Sequence, residues 1–355
     1  MRREQKYIVK GALIGGIVTA TVDVLLQWYD HWNRNEDFTW EKYNGWRTVK
    51  NSLVGTVLGA GVGKGYYLYK VSEEEKLPFS SDAYLKKLLI KEYLKSDPVT
   101  FKKIVDHREE VKDCLSQKFK NKLAAPPEDA GSFYKRTAIA SNHDLDIILP
   151  FKKTAYRSLE DMYTKVYDTI DSEYDGKATV TKQTKAIGLT FENDGNSIHF
   201  DIVPGREIND YTSEKNLNLY VNPDWQWQNG SSFKTNVAVH KKATVNKPEV
   251  RKAIKLLKIY RDRNNLSIPT IVIERCAIKA LSGKGTSSSE TEGFLTSMHF
   301  LAKNLSQYNL VDLSNSNNNL HKKMGDEKYQ IANQMFSDIE KIKANSRYIR
   351  EIFEI

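Results

Sequence analysis

Asp144 and Asp146 stand two positions apart in the run Asp144-Leu145-Asp146-Ile147-Ile148-Leu149-Pro150. Side chains two apart on a strand project from one face, so the run predicts paired carboxylates on an otherwise apolar strand. Asp201 is a third acid, flanked by Phe200 and Ile202 in a strand-like run that ends at Val203-Pro204-Gly205. His199 falls on the same face as Asp201. Three such carboxylates can hold two Mg2+ (or Mn2+) ions about 3.5–4 Å apart. Ions so held bridge a triphosphate, neutralise developing charge and activate an attacking hydroxyl. Upstream, Gly131-Ser132 opens a run that reaches Asp144 after eleven intervening residues. A Gly-Ser turn entering a helix offers backbone N–H groups to a phosphate. Glycine at its head lets the backbone approach that phosphate closely.

Positive charge follows in sequence. Between Lys234 and Arg263 there are ten Lys or Arg against two acids, Glu249 and Asp262. Arg251, Lys255 and Lys258 recur at i, i+4 and i+7, on one helix face, with Val250, Ile254 and Leu257 beside them. That face fits either a clamp on a triphosphate or nucleic-acid backbone or a solvated charged surface. Trp225 and Trp227 fit base stacking or packing, and His240 fits a structural role. Loop 282–291 (SGKGTSSSET) reads as a flap or as a plain connection.

The elements that must position these residues are legible by period. Residues 131–205 read as mixed α/β: an amphipathic helix over Leu159–Tyr174, then strands over 178–184, 187–192 and 197–203 in an antiparallel meander. Residues 84–122 are helical, broken at Asp97-Pro98. After residue 248 the pattern is helical to the end. Residues 1–75 differ. Two apolar runs rich in small residues, 11–22 and 52–69, flank a polar stretch and predict a helical hairpin, with Gly11/Gly15 and Gly59/Gly63 as close-approach pairs. Each run reaches spanning length only by including a charge, Asp23 or Lys64. Aromatic residues flank both runs as interfacial belts do. The hairpin is therefore expected to serve assembly, as in a homo-oligomer, or membrane anchoring, and Asp23 to lie level with Lys50 or Ser52.

The bulk numbers set bounds. With 355 residues and 40% hydrophobic content, the chain has material for two to three units. A net charge of +9 favours anionic partners. Two distant cysteines, Cys114 and Cys276, exclude a disulfide framework and zinc-site spacing and suit a reducing cytoplasm. The basic N-terminal residues precede no small-residue cleavage site, so a secretory signal is not expected.

The run GSFYKRTAIASNHDLDIIL resembles the hG[GS]…DhDh motif of DNA polymerase β-like nucleotidyltransferases, and HFDIVPG resembles their third-carboxylate strand. Within that superfamily the chain is most similar to the bacterial CD-NTases, signalling enzymes related to cyclic GMP-AMP synthase and oligoadenylate synthetase. Thr235–His240 is similar to their TNPxxH stretch, with Val237 in place of Pro. Val250–Glu274 is similar to their LLKxW helix followed by PSYxxE, with Tyr260 for Trp and Thr270-Ile271 for Ser-Tyr. The likeness spans residues 85–300 and leaves residues 1–75 without a counterpart. It implies an α+β fold with a polymerase β-like palm (131–247) and a helical C-terminal domain (248–355), which the residues themselves precede with a helical lead-in (76–130) and a glycine-rich helical hairpin (1–75). It implies that Asp144, Asp146 and Asp201 are catalytic and hold the metal. Gly131, Ser132, Lys255, Lys258 and Thr270 would contact substrate, and Ile271 in place of an aromatic puts base selection in doubt. The implied activity is Mg2+-dependent polymerisation or cyclisation of NTP or dNTP into an oligonucleotide signal, with release of pyrophosphate, in antiphage defence. A nucleic acid or a downstream effector protein that receives the product is the implied partner. The alternatives are transfer onto RNA ends or protein side chains, and a non-catalytic nucleotide-binding scaffold.

Overall fold

A computed structural model describes residues 3–33, 45–75, 77–141, 145–193, 196–223, 230–283, 289–307, 310–320 and 324–353. Asp144, Trp225, Trp227 and most of loop 282–291 lie outside the described residues.

Two 31-residue helices, α1 (Arg3–Asn33) and α2 (Gly45–Glu75), open the chain. α3 (Ser81–Lys91) leads through a 3-10 turn to α4 (Pro98–Lys118). The expected break at Asp97-Pro98 is an N-terminus: the Asp97 side chain accepts hydrogen bonds from the Val99 and Thr100 amides, and Pro98 takes the first helical position. β1 (Glu128–Asp129), the one-turn helix α5 (Gly131–Tyr134) and β2 (Leu145–Phe151) follow. Ser158 caps α6 (Leu159–Glu173). Next come β3 (Thr179–Lys182), β4 (Ile187–Asn193) and β5 (Asn196–Glu207), then α7 (Tyr211–Glu214), β6 (Asn216–Val221) and β7 (Ser231–Asn236). The remaining helices are α8 (Val237–Lys242), α9 (Pro248–Arg263), α10 (Thr270–Ala280), α11 (Glu290–Gln307), α12 (Glu327–Ala344) and α13 (Ile349–Ile352).

The sheet runs β1-β2-β5-β4-β3, with β6 added to the far end of β5 and β7 to β6. Only β2 and β5 are parallel among these pairs. β5 is longer than the expected 197–203 because Gly205–Glu207 continue past the meander to pair with β6. One sheet face carries Leu145, Ile147, Leu149, Phe200 and Ile202, buried with Ile104, Val111 and Leu115 of α4 and Met162, Val166 and Ile170 of α6. Each such side chain contributes about 1.5–3 kcal/mol by burial. On the opposite face Ile148 packs with Tyr211, Leu217, Leu219 and Val237.

The described residues form two compact units. One comprises Asp82–Ile259 and Ser267–Ile339, and holds the sheet and every candidate site residue that the structure describes. The other comprises Met1–Ser81, Tyr260–Leu266 and Glu340–Ile355. Its hairpin is antiparallel and packed on glycine. A Cβ on Gly59 would overlap the Gly11 carbonyl oxygen, and one on Gly15 would overlap that of Gly55. The pairs expected at Gly11/Gly15 and Gly59/Gly63 thus interlock, with Gly55 added. Buried Asp23 accepts hydrogen bonds from Thr48 (2.5 Å), Asn51 (2.6 Å) and Gln27 (2.7 Å) and pairs with Arg47 (3.0 Å). Its partners sit close to the level expected but are Thr48, Asn51 and Arg47 rather than Lys50 or Ser52.

Candidate active site

The parallel pairing of β2 and β5 sets Asp146 directly opposite Asp201. In-register residues of parallel neighbours share a face, so the two carboxylates rise from adjacent strands one inter-strand spacing, about 4.8 Å, apart. Alternation fixes which face. Leu145 and Ile147 flank Asp146 and point into the α4/α6 core, as Phe200 and Ile202 do around Asp201. Both acids are therefore on the side away from that core, partly accessible, with the Asp201 side chain 21% exposed.

Gly131 backs Asp146. It opens α5 with φ +56°, and a Cβ there would overlap the Asp146 carboxylate. The Ala130 amide donates to the Asp146 carbonyl at 2.8 Å, which ties this turn to β2. Glycine is required twice at this position, for its backbone conformation and for the space its missing side chain leaves. Ser132 follows in α5, and its carbonyl accepts from the Thr137 amide (2.8 Å) and the Ala138 amide (3.1 Å), closing the turn over residues 132–138.

Asp201 has a partner of its own. His199 Nε2 lies 3.0 Å from Asp201 Oδ1, while His199 Nδ1 lies 2.7 Å from the Thr190 hydroxyl across the β4–β5 pair. Gly188 is opposite Asp201, and a Cβ there would press on Thr181, Gln183 and His199. The sequence placed His199 on this face, but Thr190 and Gly188 emerge only from the pairing of β4 with β5.

The cations of α9 are each engaged. Arg251 donates to the Thr244 carbonyl at 2.9 Å. The Lys255 amine lies 5.4 Å from the Tyr93 ring centroid. Burial lowers its pKa, and the neighbouring charge of Arg251 lowers it further. Lys258 is 4% exposed and donates to the Thr137 carbonyl at 3.2 Å. Thr137 also approaches Glu274 of α10 (3.5 Å), and Glu274 pairs with Lys135 at 2.5 Å. The segment 135–137 is thus held by α9 on one side and α10 on the other. Thr270 begins α10 one turn before Glu274. The structure brings Gly131, Asp146 and Asp201 together, and it attaches Lys258 to the turn that Gly131 opens. Lys135 and Glu274 went unassigned in the sequence, although a buried Glu inside the apolar helix TIVIERCAIKA is itself a signal that a cation faces it.

His240 bonds Ser314 (3.0 Å) and pairs with Asp312 (3.3 Å). Burial opposes ionisation of Asp312, yet His240 and the Ser314 amide together hold its carboxyl well below the usual range. That pairing joins α8 to the segment that follows α11.

Among the described residues no cluster of three His, Cys, Asp or Glu side chains is assembled for a metal. The donors present do fit one. Two carboxylates face each other in register, a glycine clears room beside one of them, and oxygen ligands of this kind suit Mg2+ or Mn2+.

The sheet, flanked by α4 and α6 and followed by α9–α12, shares its fold with several solved bacterial structures. Among solved structures, CdnC of E. coli MS115-1 with ATP aligns with a TM-score of 0.58 at 16% identity, covering 77% of this chain and 98% of that one. The Elizabethkingia meningoseptica CdnE cyclic dinucleotide synthase with GTP and Apcpp aligns at 0.51 and 13%, covering 73% and 98%. The Vibrio cholerae DncV cyclic AMP-GMP synthase, a prokaryotic cGAS homolog, aligns at 0.51 and 12%, covering 80% and 83%. No family model matches the sequence, and no curated protein matches it.

Proposed function

We propose that the chain is a metal-dependent nucleotidyltransferase that joins nucleotides from NTP or dNTP into a cyclic or linear oligonucleotide signal, releasing pyrophosphate, in antiphage defence. The observation that carries this reading is the in-register pair Asp146/Asp201, backed by Gly131, in a fold shared with cyclic dinucleotide synthases. Asp146 and Asp201, with Asp144 two positions before Asp146, would hold Mg2+ or Mn2+. The ions, when bound, supply charge neutralisation at the phosphates and activation of the attacking hydroxyl.

The chain's own residues supply position. Gly131 keeps the Asp146 carboxylate where a side chain would displace it. His199, bonded to Thr190, orients the Asp201 carboxylate. Ser132 and Thr270 present hydroxyls for phosphate or sugar, and Lys255 supplies a cation on α9. Lys258, seated on the Thr137 carbonyl, places positive charge beneath the turn and steadies its approach to the triphosphate. We assign the catalytic part to the cytoplasm, where nucleotides are at hand.

Product analysis tests the assignment. The full chain, given each labelled NTP and dNTP with Mg2+, is expected to convert label into small oligonucleotides seen by mass spectrometry. Label that follows RNA or protein instead would favour transfer onto a macromolecule. No conversion of any nucleotide would contradict the enzyme assignment.

A further inference from the structure

The hairpin of α1 and α2 is built inside out for a unit in water. Glycines fill its interior, and the large apolar side chains point away from it. Leu13, Ile14 and Ile17 on α1 and Leu53, Val57 and Val62 on α2 are 61–72% exposed. Soluble proteins rarely leave an apolar surface of this extent open. Small residues inside and large ones outside is the arrangement that helices adopt where the surroundings are as apolar as leucine. Among the described residues Arg3–Gln27 is the one helix long and apolar enough to cross a membrane by itself, with a mean hydropathy of 1.8 and only 11% of it buried, and α2 would enter as its glycine-packed partner.

The charges respect the same boundary. Residues 11–29 hold one charge, Asp23, in nineteen positions, a length of about 28 Å against a hydrocarbon core of about 30 Å. Asp23 faces inward, onto Thr48, Asn51, Gln27 and Arg47. On α2 the exposed Lys64 reaches Glu4 at 3.9 Å, toward the end where α1 begins, as snorkelling lysines do. Tyr7 lies against Tyr66 and Tyr67 at that end, with ring centroids 5.6 and 6.0 Å apart, and Trp46 is exposed at the other. Such aromatic girdles mark membrane interfaces.

Charge also says which surface covers the hairpin and which way round. Arg3, Lys6, Lys10, Lys64 and Lys70 lie at the end where α1 begins and α2 finishes, beside Glu4, Glu73, Glu74 and Glu75, and Arg2 and Lys76 adjoin them in the sequence. Residues 34–44 carry Arg34 and Lys42 against Glu36, Asp37 and Glu41, and Arg47 and Lys50 follow at the same end. At the basic end Arg3, Lys341, Arg347 and Arg350 line a cavity of about 350 Å³ together with Glu351. Basic residues concentrate on the cytoplasmic side and attract anionic headgroups.

We propose that α1 and α2 form a membrane-inserted hairpin, surrounded by the acyl chains of an anionic bilayer, with the end where α1 finishes and α2 begins on the far side and the opposite end on the cytoplasmic side. Two crossings return the chain to the side it left, so the sheet-bearing unit stays with the nucleotides. Flotation of bacterial membranes holding the full chain, after washes in alkaline carbonate and high salt, tests this. The chain is expected to float with the lipid until detergent is added. Ile17→Lys combined with Val57→Lys, both at exposed positions, should shift partitioning toward the soluble layer by about a hundred-fold or more. With Thr39→Cys, a membrane-impermeant maleimide should label intact cells. A full chain recovered in the soluble layer, whether monomer or oligomer by light scattering, overturns the proposal. So does release by carbonate, a lysine variant that floats undiminished, or a Thr39→Cys chain labelled only after lysis. None of these readouts depends on the nucleotidyltransferase assignment.

Discussion

Gly131→Ala should separate the site's geometry from its stability. The residue has φ +56°, a conformation that costs an L-residue roughly 1–2 kcal/mol. Its new methyl would also overlap the Asp146 carboxylate, adding about 1–3 kcal/mol of overpacking unless the carboxylate moves. Gly176→Ala is the control: φ there is +69° and nothing lies within 4 Å of the added Cβ, so it carries the backbone strain alone. Urea unfolding should show a loss of about 1–2 kcal/mol for Gly176→Ala and about 2–5 kcal/mol for Gly131→Ala. Pyrophosphate release should be unchanged in the first and reduced about a hundred-fold in the second, the cost expected of a misplacement near 1 Å. A folded Gly131→Ala protein with the turnover of Gly176→Ala would refute the claim that catalysis needs Asp146 where Gly131 allows it.

Other substitutions address the supports. Glu274→Gln leaves Lys135 without its counter-charge in a buried setting and should cost about 3 kcal/mol in denaturant unfolding, with the loss diminished in Lys135→Met/Glu274→Gln. Lys258→Ala should raise the apparent KM for nucleotide about ten-fold and also lower stability by about 1–3 kcal/mol, since its amine is bonded to the Thr137 carbonyl; an unchanged KM would confine Lys258 to structure. Asp312 ionises well below its ordinary 3.8 when folded, so as pH falls the unfolded chain takes up this proton first and stability drops below about pH 4–5. Asp312→Asn, less stable at neutral pH, should therefore show a smaller loss of Tm on acidification than the native chain.

Local features were legible wherever short-range rules decide. Strand alternation around Asp146 and Asp201, the break at Asp97-Pro98 and the glycine pairs of the hairpin all follow from period and backbone preference. What depended on distant partners was not. No spacing rule sets Asp146 opposite Asp201, because the register of β2 on β5 joins residues 55 positions apart. β6 and β7 went unread, since Asn216-Leu217-Asn218-Leu219 and Ser231–Asn236 are short, polar strands whose identity comes from pairing. The i, i+4, i+7 spacing on α9 placed Lys258 on a basic face but could not say that Thr137, 121 residues earlier, covers it. In the same way helical rise sets the level of Asp23 on the partner helix, whereas side-chain reach selects Thr48, Asn51 and Arg47.

The most direct measurement is pyrophosphate release from a mixture of all NTPs and dNTPs with Mg2+, comparing the native chain with Asp146→Asn and Asp201→Asn. Both substitutions keep side-chain volume and should leave unfolding cooperative. The account predicts release by the native chain and a loss of about a thousand-fold or more in each variant, of the order seen when charge stabilisation of a transition state is removed. Native-like release by either folded variant would contradict it.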